Sequence, residues 1–329
     1  MAGRAAPAAV GRPGGSLRRR DRKGQKTEAF DPDWLHLREP FDALARNEAL
    51  AARLLARLPA RPRLLDLGSG TGSLFRWMAP RIGRAQAWTL VDADREMAEA
   101  AFDTIADRAE AVGLNVTFPN RRTLLVHAPG GAWRVEALVA DLAEAPGNLP
   151  LGGADAVVNS ALCDLVSRPW ADRMAAALKV PFYAALCVDG RDRFSPPHRD
   201  DAWMARGFRR DQRRDKGFGG PALGDAAVGA LSGAFAARGF AVETAASGWS
   251  ARGRGGAAES PLDPSPFLSR LVAGRAAAAA LALPAREAWR AARWGGARDG
   301  QIARRSLGAR IGHRDVLALP GPRSSGRAG

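Results

Sequence analysis

The stretch Leu64-Leu65-Asp66-Leu67-Gly68-Ser69-Gly70-Thr71-Gly72 decides how the rest of the chain is read. The apolar residues at 63–67 predict a short buried strand, and the glycines after them predict a tight turn. Glycine lets the backbone turn sharply and come close to a ligand, because no side chain stands in the way. A helix expected from Ser73 would present its N-terminal N–H groups at the same place. Open α/β sheets bind ligands at such strand ends. A dinucleotide fingerprint needs glycine at its first, third and sixth positions. Here those positions are Gly68, Gly70 and Ser73, so the last glycine is missing. No Gly-Lys-Ser/Thr ending follows, which disfavours a P-loop.

Outward from this stretch, strands and helices alternate. Further strands are expected at 87–91, 124–127, 134–139, 154–160, 182–188 and 240–246. Helices are expected at 33–58, 94–112, 169–178, 200–216 and 225–238. The alternation predicts an α/β fold, a doubly wound and mostly parallel sheet covered on both faces. Residues 29–250 form the expected body. Residues 1–28 are rich in Gly, Pro, Ala and Arg without periodicity, which predicts a disordered basic tail. Residues 251–329 are Ala- and Arg-rich and are expected as a basic, partly helical C-terminal extension.

The form acidic-x-Gly-x-Gly-x-Gly at 66–72 resembles the first motif of class I S-adenosylmethionine-dependent methyltransferases. Asp92 ends the next strand in Thr89-Leu90-Val91-Asp92-Ala93-Asp94, Asp141 follows a later one in Val139-Ala140-Asp141-Leu142, and Asp155-Ala156-Val157-Val158-Asn159-Ser160 ends another. The resemblance implies a Rossmann-like, seven-stranded sheet with N-terminal helices, and S-adenosyl-L-methionine as cofactor. It implies that Asp66, Gly68, Ser69, Gly70 and Gly72 hold the cofactor at the first strand, with Asp66 near its positive end. It implies that Asp92 and Ala93 meet the ribose, that Asp141 and the Leu142 N–H meet the adenine, and that Asn159 and Ser160 lie beside the methyl group. The stretches at 160–167, 212–224 and 312–320 are similar to a bacterial group of the same family whose substrate the motifs do not identify.

Composition narrows the partners. The net charge of the 329 residues is +15. Residues 1–28 carry eight basic residues against two acids, and residues 251–329 carry fourteen arginines against five acids, so the two ends hold the whole excess and the body is neutral. Basic ends can bind phosphates through counterion release, and arginine on solvated faces gives the same count. No run reaches the roughly 18 to 20 apolar residues of a membrane helix. No apolar stretch precedes Arg18, so no secretory signal is expected. With two cysteines, Cys163 and Cys187, both in apolar runs, a cytoplasmic location is expected. The histidines at 36, 127, 198 and 313 are scattered and neither cysteine has a partner at zinc spacing, so no metal site is expected.

Methyl transfer from a sulfonium is an in-line displacement, and no catalytic side chain is obligatory. Asp164, beyond the strand ending at Ser160, is a candidate to orient or deprotonate an acceptor, or caps a turn. His198, after Pro196-Pro197, is a candidate base, since histidine can change charge near neutral pH, or an exposed loop residue. Arg209, Arg210, Arg213, Arg214 and Lys216 are candidates to grip an anionic acceptor, or line a solvated helix face. The sequences of base-methylating enzymes, Pro-Cys and Pro-Pro-aromatic, are absent near Asn159 and Cys163. A small-molecule acceptor is therefore the leading expectation. An RNA or protein methyltransferase using its basic ends, and a non-catalytic cofactor-binding protein, are the alternatives.

Overall fold

The computed structural model describes residues 18–20, 26–28, 31–253 and 263–321. The expected disordered tail falls mostly outside them. Within it, β1 (Arg18–Arg20) and β2 (Lys26–Glu28) pair as an antiparallel ladder. The helix expected over 33–58 is two helices, α1 (Pro32–Ala45) and α2 (Glu48–Leu55). The break has a local cause. Arg46 is extended, and the Asn47 side chain accepts the Leu50 N–H as the cap of α2, a common way to start a helix.

The chain then builds β3 (Arg63–Leu67), α3 (Ser73–Ile82), β4 (Gln86–Asp92) and α4 (Arg95–Ala111). A meander follows: β5 (Asn115–Asn120), β6 (Thr123–Ala128) and β7 (Gly131–Val139). Next come β8 (Ala156–Ser160), α5 (Arg168–Ala177), β9 (Phe182–Ser195), α6 (Asp201–Gln212), α7 (Ala227–Ala236), β10 (Phe240–Ala246) and β11 (Trp249–Arg252). The described chain ends with α8 (Ser265–Ala282), α9 (Trp289–Ala303) and β12 (Gly308–Pro320).

Ten strands form one sheet in the order β10-β12-β9-β8-β3-β4-β7-β6-β5, with β11 beside β12. The centre, from β9 through β8, β3 and β4 to β7, is parallel. Side chains alternate between the two faces of a strand. Leu64, Leu90 and Val158 pack with α2, α3 and α4 on one face, while Leu65, Val91 and Val157 pack with α5 and α7 on the other. The sheet is thus doubly wound. Strand order reverses about β3 and β8, and their carboxyl ends flank the crevice where such sheets bind ligands.

Two expectations need correction. The sheet has ten strands, not seven. Strand β5, largely exposed and containing Pro119, is an edge strand without apolar alternation, so only its pairing with β6 reveals it. The segment 251–329 does hold helices, but it is not peripheral to the body. Strand β12 lies between β9 and β10, antiparallel to both, and Val316, Leu317 and Ala318 are fully buried, as a central strand requires. A third apolar cluster joins α1, α6, α8 and α9 to β11 through Phe41, Trp203, Trp249, Phe267 and Trp294. No described helix is long and apolar enough to cross a membrane.

Asp315 ties β12 to the other elements. It is fully buried. Its carboxylate accepts the Tyr183 hydroxyl at 2.7 Å, the Leu186 N–H at 2.9 Å and the Asn47 N–H at 2.9 Å. Asp315→Ala would strand three donors, two of them buried and one half-buried, so a loss of about 3 kcal/mol or more is expected. Urea unfolding measures it, and a loss below about 1 kcal/mol, the worth of a single ordinary hydrogen bond, would contradict this role.

Candidate functional site

The chain leaves β3 at Leu67 and turns into α3. Gly68 and Gly70 lie in the left-handed region, at φ +64° and +53°, which other residues enter at a cost. A Cβ on Gly70 would also come within 3.1 Å of the Leu35 side chain on α1. Hydrogen bonds lash this turn to β4. The N–H groups of Gly68 and Ser69 donate to the Val91 carbonyl at 2.8 and 3.1 Å. The Gly70 N–H donates to Asp92 Oδ2 at 3.0 Å, and the Asp94 N–H to Asp92 Oδ1 at 3.1 Å. Asp92 is therefore held in place, and each of its oxygens keeps a lone pair for a ligand. Burial raises its pKa, against the pull of these N–H groups.

Around the turn lies a cavity of about 680 Å³. Of the residues expected at a cofactor, Asp66, Gly68, Ser69, Gly70, Asp92, Ala93, Asp141, Leu142 and Ser160 line it. Asp141 stands at the far end of β7, where its Oδ1 accepts the Ala143 N–H at 2.9 Å and caps a short 3-10 turn. Two expected residues do not line the cavity. Gly72 is the N-cap of α3 and packs against Ile105. Asn159 is fully buried below the strand end, where its Nδ2 donates to the Tyr183 carbonyl and its Oδ1 accepts the Cys163 thiol.

Asp66 is the unusual group. Its side chain lines the cavity from β3 and is 1% exposed, yet among the described residues neither carboxyl oxygen has a hydrogen-bond partner. Burial pushes its pKa from the ordinary 3.8 up to about 8; the Arg46 guanidinium opposes the rise and Asp92 adds to it. At neutral pH the group is mostly a neutral acid. It would ionise readily beside an incoming cation.

Neither candidate catalytic residue lines the cavity. Asp164 is buried, and its carbonyl accepts the Gly224 N–H at 2.8 Å. His198 lies before α6, where its Nδ1 accepts the Asp200 N–H at 3.1 Å. The reason is the length of β9, which runs on to Ser195 and carries the following loop to the C-terminal helices. In the basic cluster, Arg213 pairs with Asp225, and Arg214 and Lys216 pair with Asp211. Of that cluster, Lys216 lines the cavity, next to Gly217 and Phe218.

One wall was not expected from the sequence. Helix α1 supplies Leu35, Arg38 and Asp42. Arg38 Nε donates to Asp42 Oδ2 at 2.9 Å, and Asp42 Oδ1 accepts the Trp249 indole N–H at 2.8 Å. Behind the wall, Arg46 is 3% exposed and reaches Ser73 and Ser160. The spacing of Arg38 and Asp42 shows only that they share a helix face.

No family model matches the chain. A stretch of 55 residues, 16% of this chain, is 51% identical to the biotin biosynthesis bifunctional protein BioCD of Bordetella avium (strain 197N), and the match spans 12% of that protein's length. Solved structures of similar outline include three worth naming. Phosphoethanolamine N-methyltransferase 2 of Haemonchus contortus is 12% identical, with a TM-score of 0.40, over 89% of this chain and 58% of that one. The cyclopropane synthase MmaA2 of Mycobacterium tuberculosis is 13% identical, with a TM-score of 0.38, over 82% and 83%. Geranyl diphosphate C-methyltransferase of Streptomyces coelicolor A3(2) is 11% identical, with a TM-score of 0.36, over 83% and 80%. Likenesses this distant assign no chemistry to the chain.

The state of Asp66 has a consequence for stability. Between pH 4 and 8 the folded chain holds a proton on this carboxyl that the unfolded chain has lost. Its contribution to stability is therefore full below about pH 4 and is lost as pH rises towards about 8. Urea midpoints should fall more steeply over this range in the wild type than in Asp66→Asn. Parallel curves would contradict the buried, unpartnered carboxyl.

Proposed function

We propose that this chain is an S-adenosyl-L-methionine-dependent methyltransferase that acts on a small-molecule acceptor. One observation carries the reading: the glycine turn, Asp92, Asp141 and Asp66, which has no hydrogen-bond partner among the described residues, all line a single cavity at the reversal of strand order. The chemistry of each group suits one part of this cofactor. The lone pairs of Asp92 suit a ribose diol. Asp141 and the Leu142 N–H suit the donor and acceptor edge of adenine. Asp66 suits a positive charge.

Charge favours this cofactor over a dinucleotide. The cavity lining holds Asp42, Asp66, Asp92, Asp94, Glu96 and Asp141 against Arg38, Arg95 and Lys216. An acid-rich wall disfavours a pyrophosphate and attracts a cation. When bound, S-adenosyl-L-methionine supplies a methyl group on positive sulfur, open to in-line attack. The chain's part is to align the acceptor and keep out water. Leu35 and Arg38 of α1 on one side and residues 216–218 on the other wall in the recess. An acceptor must enter it instead of docking on a flat face, which supports a small molecule over a macromolecule. The neutral charge of residues 29–250 agrees with this.

Asp92→Ala should weaken cofactor binding by about 1 to 3 kcal/mol, the cost of a lost charged hydrogen-bond partner. Gly70→Val should abolish binding, since a branched residue is strained at that φ and drives into Leu35. Calorimetry with S-adenosylhomocysteine reads both; unchanged affinity in either variant removes that residue from the site. Activity is tested with methyl-labelled S-adenosyl-L-methionine and a fractionated cell extract, with mass spectrometry of the product. Label is expected in a small molecule. Label in RNA or protein would overturn the acceptor class, and cofactor binding without transfer would overturn the enzyme.

A further inference from the structure

A second cavity lies apart from the one at the strand tips. It encloses about 440 Å³ and shares no lining residue with the first, and its size suits a small ligand. Strand β9 runs beside β8 as far as Ala185, opposite Ser160, and then continues to Ser195. This overhang supplies residues 192–195 as one wall. Helix α6 adds Asp201 and Met204, α8 adds Arg275, and α9 adds Trp294.

Arg275 is the unusual group in this lining. It is 6% exposed, and its guanidinium lies 4.1 Å from the centre of the Phe208 ring and 6.0 Å from that of Phe194. Its hydrogen bond to the described residues runs from Nη1 to Asp192. The side edge of the guanidinium, Nε and Nη2, has no acceptor among the described residues, although Nε is buried. That edge is a planar fork of two N–H groups, and it fits the two oxygens of a carboxylate. The aromatic neighbours restrict the guanidinium, so filling the fork costs little further side-chain freedom.

Charge agrees with this reading. Both acids of the lining are already engaged. Asp192 holds Arg275, and Asp201 accepts the Trp294 indole N–H at 2.7 Å, the His198 N–H at 2.8 Å and the Arg298 guanidinium. Arg298 is fully buried beside the cavity, 5.4 Å from the centre of the Trp294 ring and 5.3 Å from that of Phe194. With Arg193 also in the lining, three guanidiniums stand against two carboxylates. Phe194, Met204 and Trp294 make the rest of the wall apolar. One uncompensated positive charge in an apolar recess suits a single anionic head on an apolar body.

We propose that this cavity is a second binding site, for a small organic carboxylate with an apolar body, and that the carboxylate meets the Nε and Nη2 edge of Arg275. The ligand binds here alongside the occupant of the first cavity. The site stands on its own residues and does not rest on the methyltransferase reading.

Hexanoate, hexanamide and acetate are the probes, titrated by calorimetry into the full chain with and without saturating S-adenosylhomocysteine. Hexanoate should bind equally well in both conditions. Hexanamide keeps the body and loses the charge, whereas acetate keeps the charge and loses the body. Each should bind about tenfold more weakly than hexanoate, or worse, through loss of a charged hydrogen bond in one case and of buried methylenes in the other. Arg275→Gln should weaken hexanoate binding about tenfold or more. Ala205→Phe fills the lining without touching an ion pair, so it stays informative if Arg275→Gln does not fold. It should abolish hexanoate binding and leave the affinity for S-adenosylhomocysteine within about twofold. The site is overturned if the wild type fails to bind hexanoate at millimolar concentration, or if the three probes bind alike. Displacement of hexanoate by S-adenosylhomocysteine, or unchanged hexanoate affinity in the variants, overturns it too. A chain that binds hexanoate but not S-adenosylhomocysteine keeps this site and overturns the methyltransferase reading.

Discussion

Arg46 and Asp66 are both buried at the carboxyl ends of β3 and β8, and no hydrogen bond joins them. Isolated charges are expensive to bury. The chain meets that cost differently on the two sides. The positive charge of Arg46 is shared among two hydroxyls, a carbonyl and an indole face, with Asp42 and Asp315 near enough to steady it. The negative charge of Asp66 is avoided, because the group keeps its proton. Among the described residues both oxygens of Asp66 lack a partner, whereas Arg46 lacks one only at its Nε.

The remaining architecture serves to hold this centre. Asp42 is pinned by Arg38 and Trp249, and Asp315 by Tyr183, Leu186 and Asn47. Through these two carboxylates, α1, α2, β9, β11 and β12 all converge behind the cavity. The glycine turn is fixed separately by Val91 and Asp92. The cavity thus stands on hydrogen-bonded strand ends, and α1 packs against the C-terminal helices through Phe41 and Phe267, whose ring centres lie 3.9 Å apart.

Much of this was legible in the sequence where the signal was local. Apolar runs and glycine chemistry located β3, β4, β8 and the turn between β3 and α3, and the resemblance pointed to Asp92 and Asp141, which both line the cavity. Three things were hidden for physical reasons. Arg46 stands in the break between α1 and α2, and its burial depends on partners that are distant in sequence, Ser73 and Ser160. Strand β12 lies in an Arg- and Ala-rich segment, and its central place follows from pairing with β9 and β10, which periodicity cannot show. Asp164 and His198 lie close along the chain to strand ends, but the long β9 separates His198 from the cavity and the turn after β8 buries Asp164.

A crystal structure of the chain soaked with S-adenosylhomocysteine would test the assignment of the cavity. The ribose is expected on Asp92, the adenine between Asp141 and the Leu142 N–H, and the amino-acid end above Asp66. Clear density for the compound elsewhere on the molecule, or an unchanged cavity at saturating concentration, would contradict it.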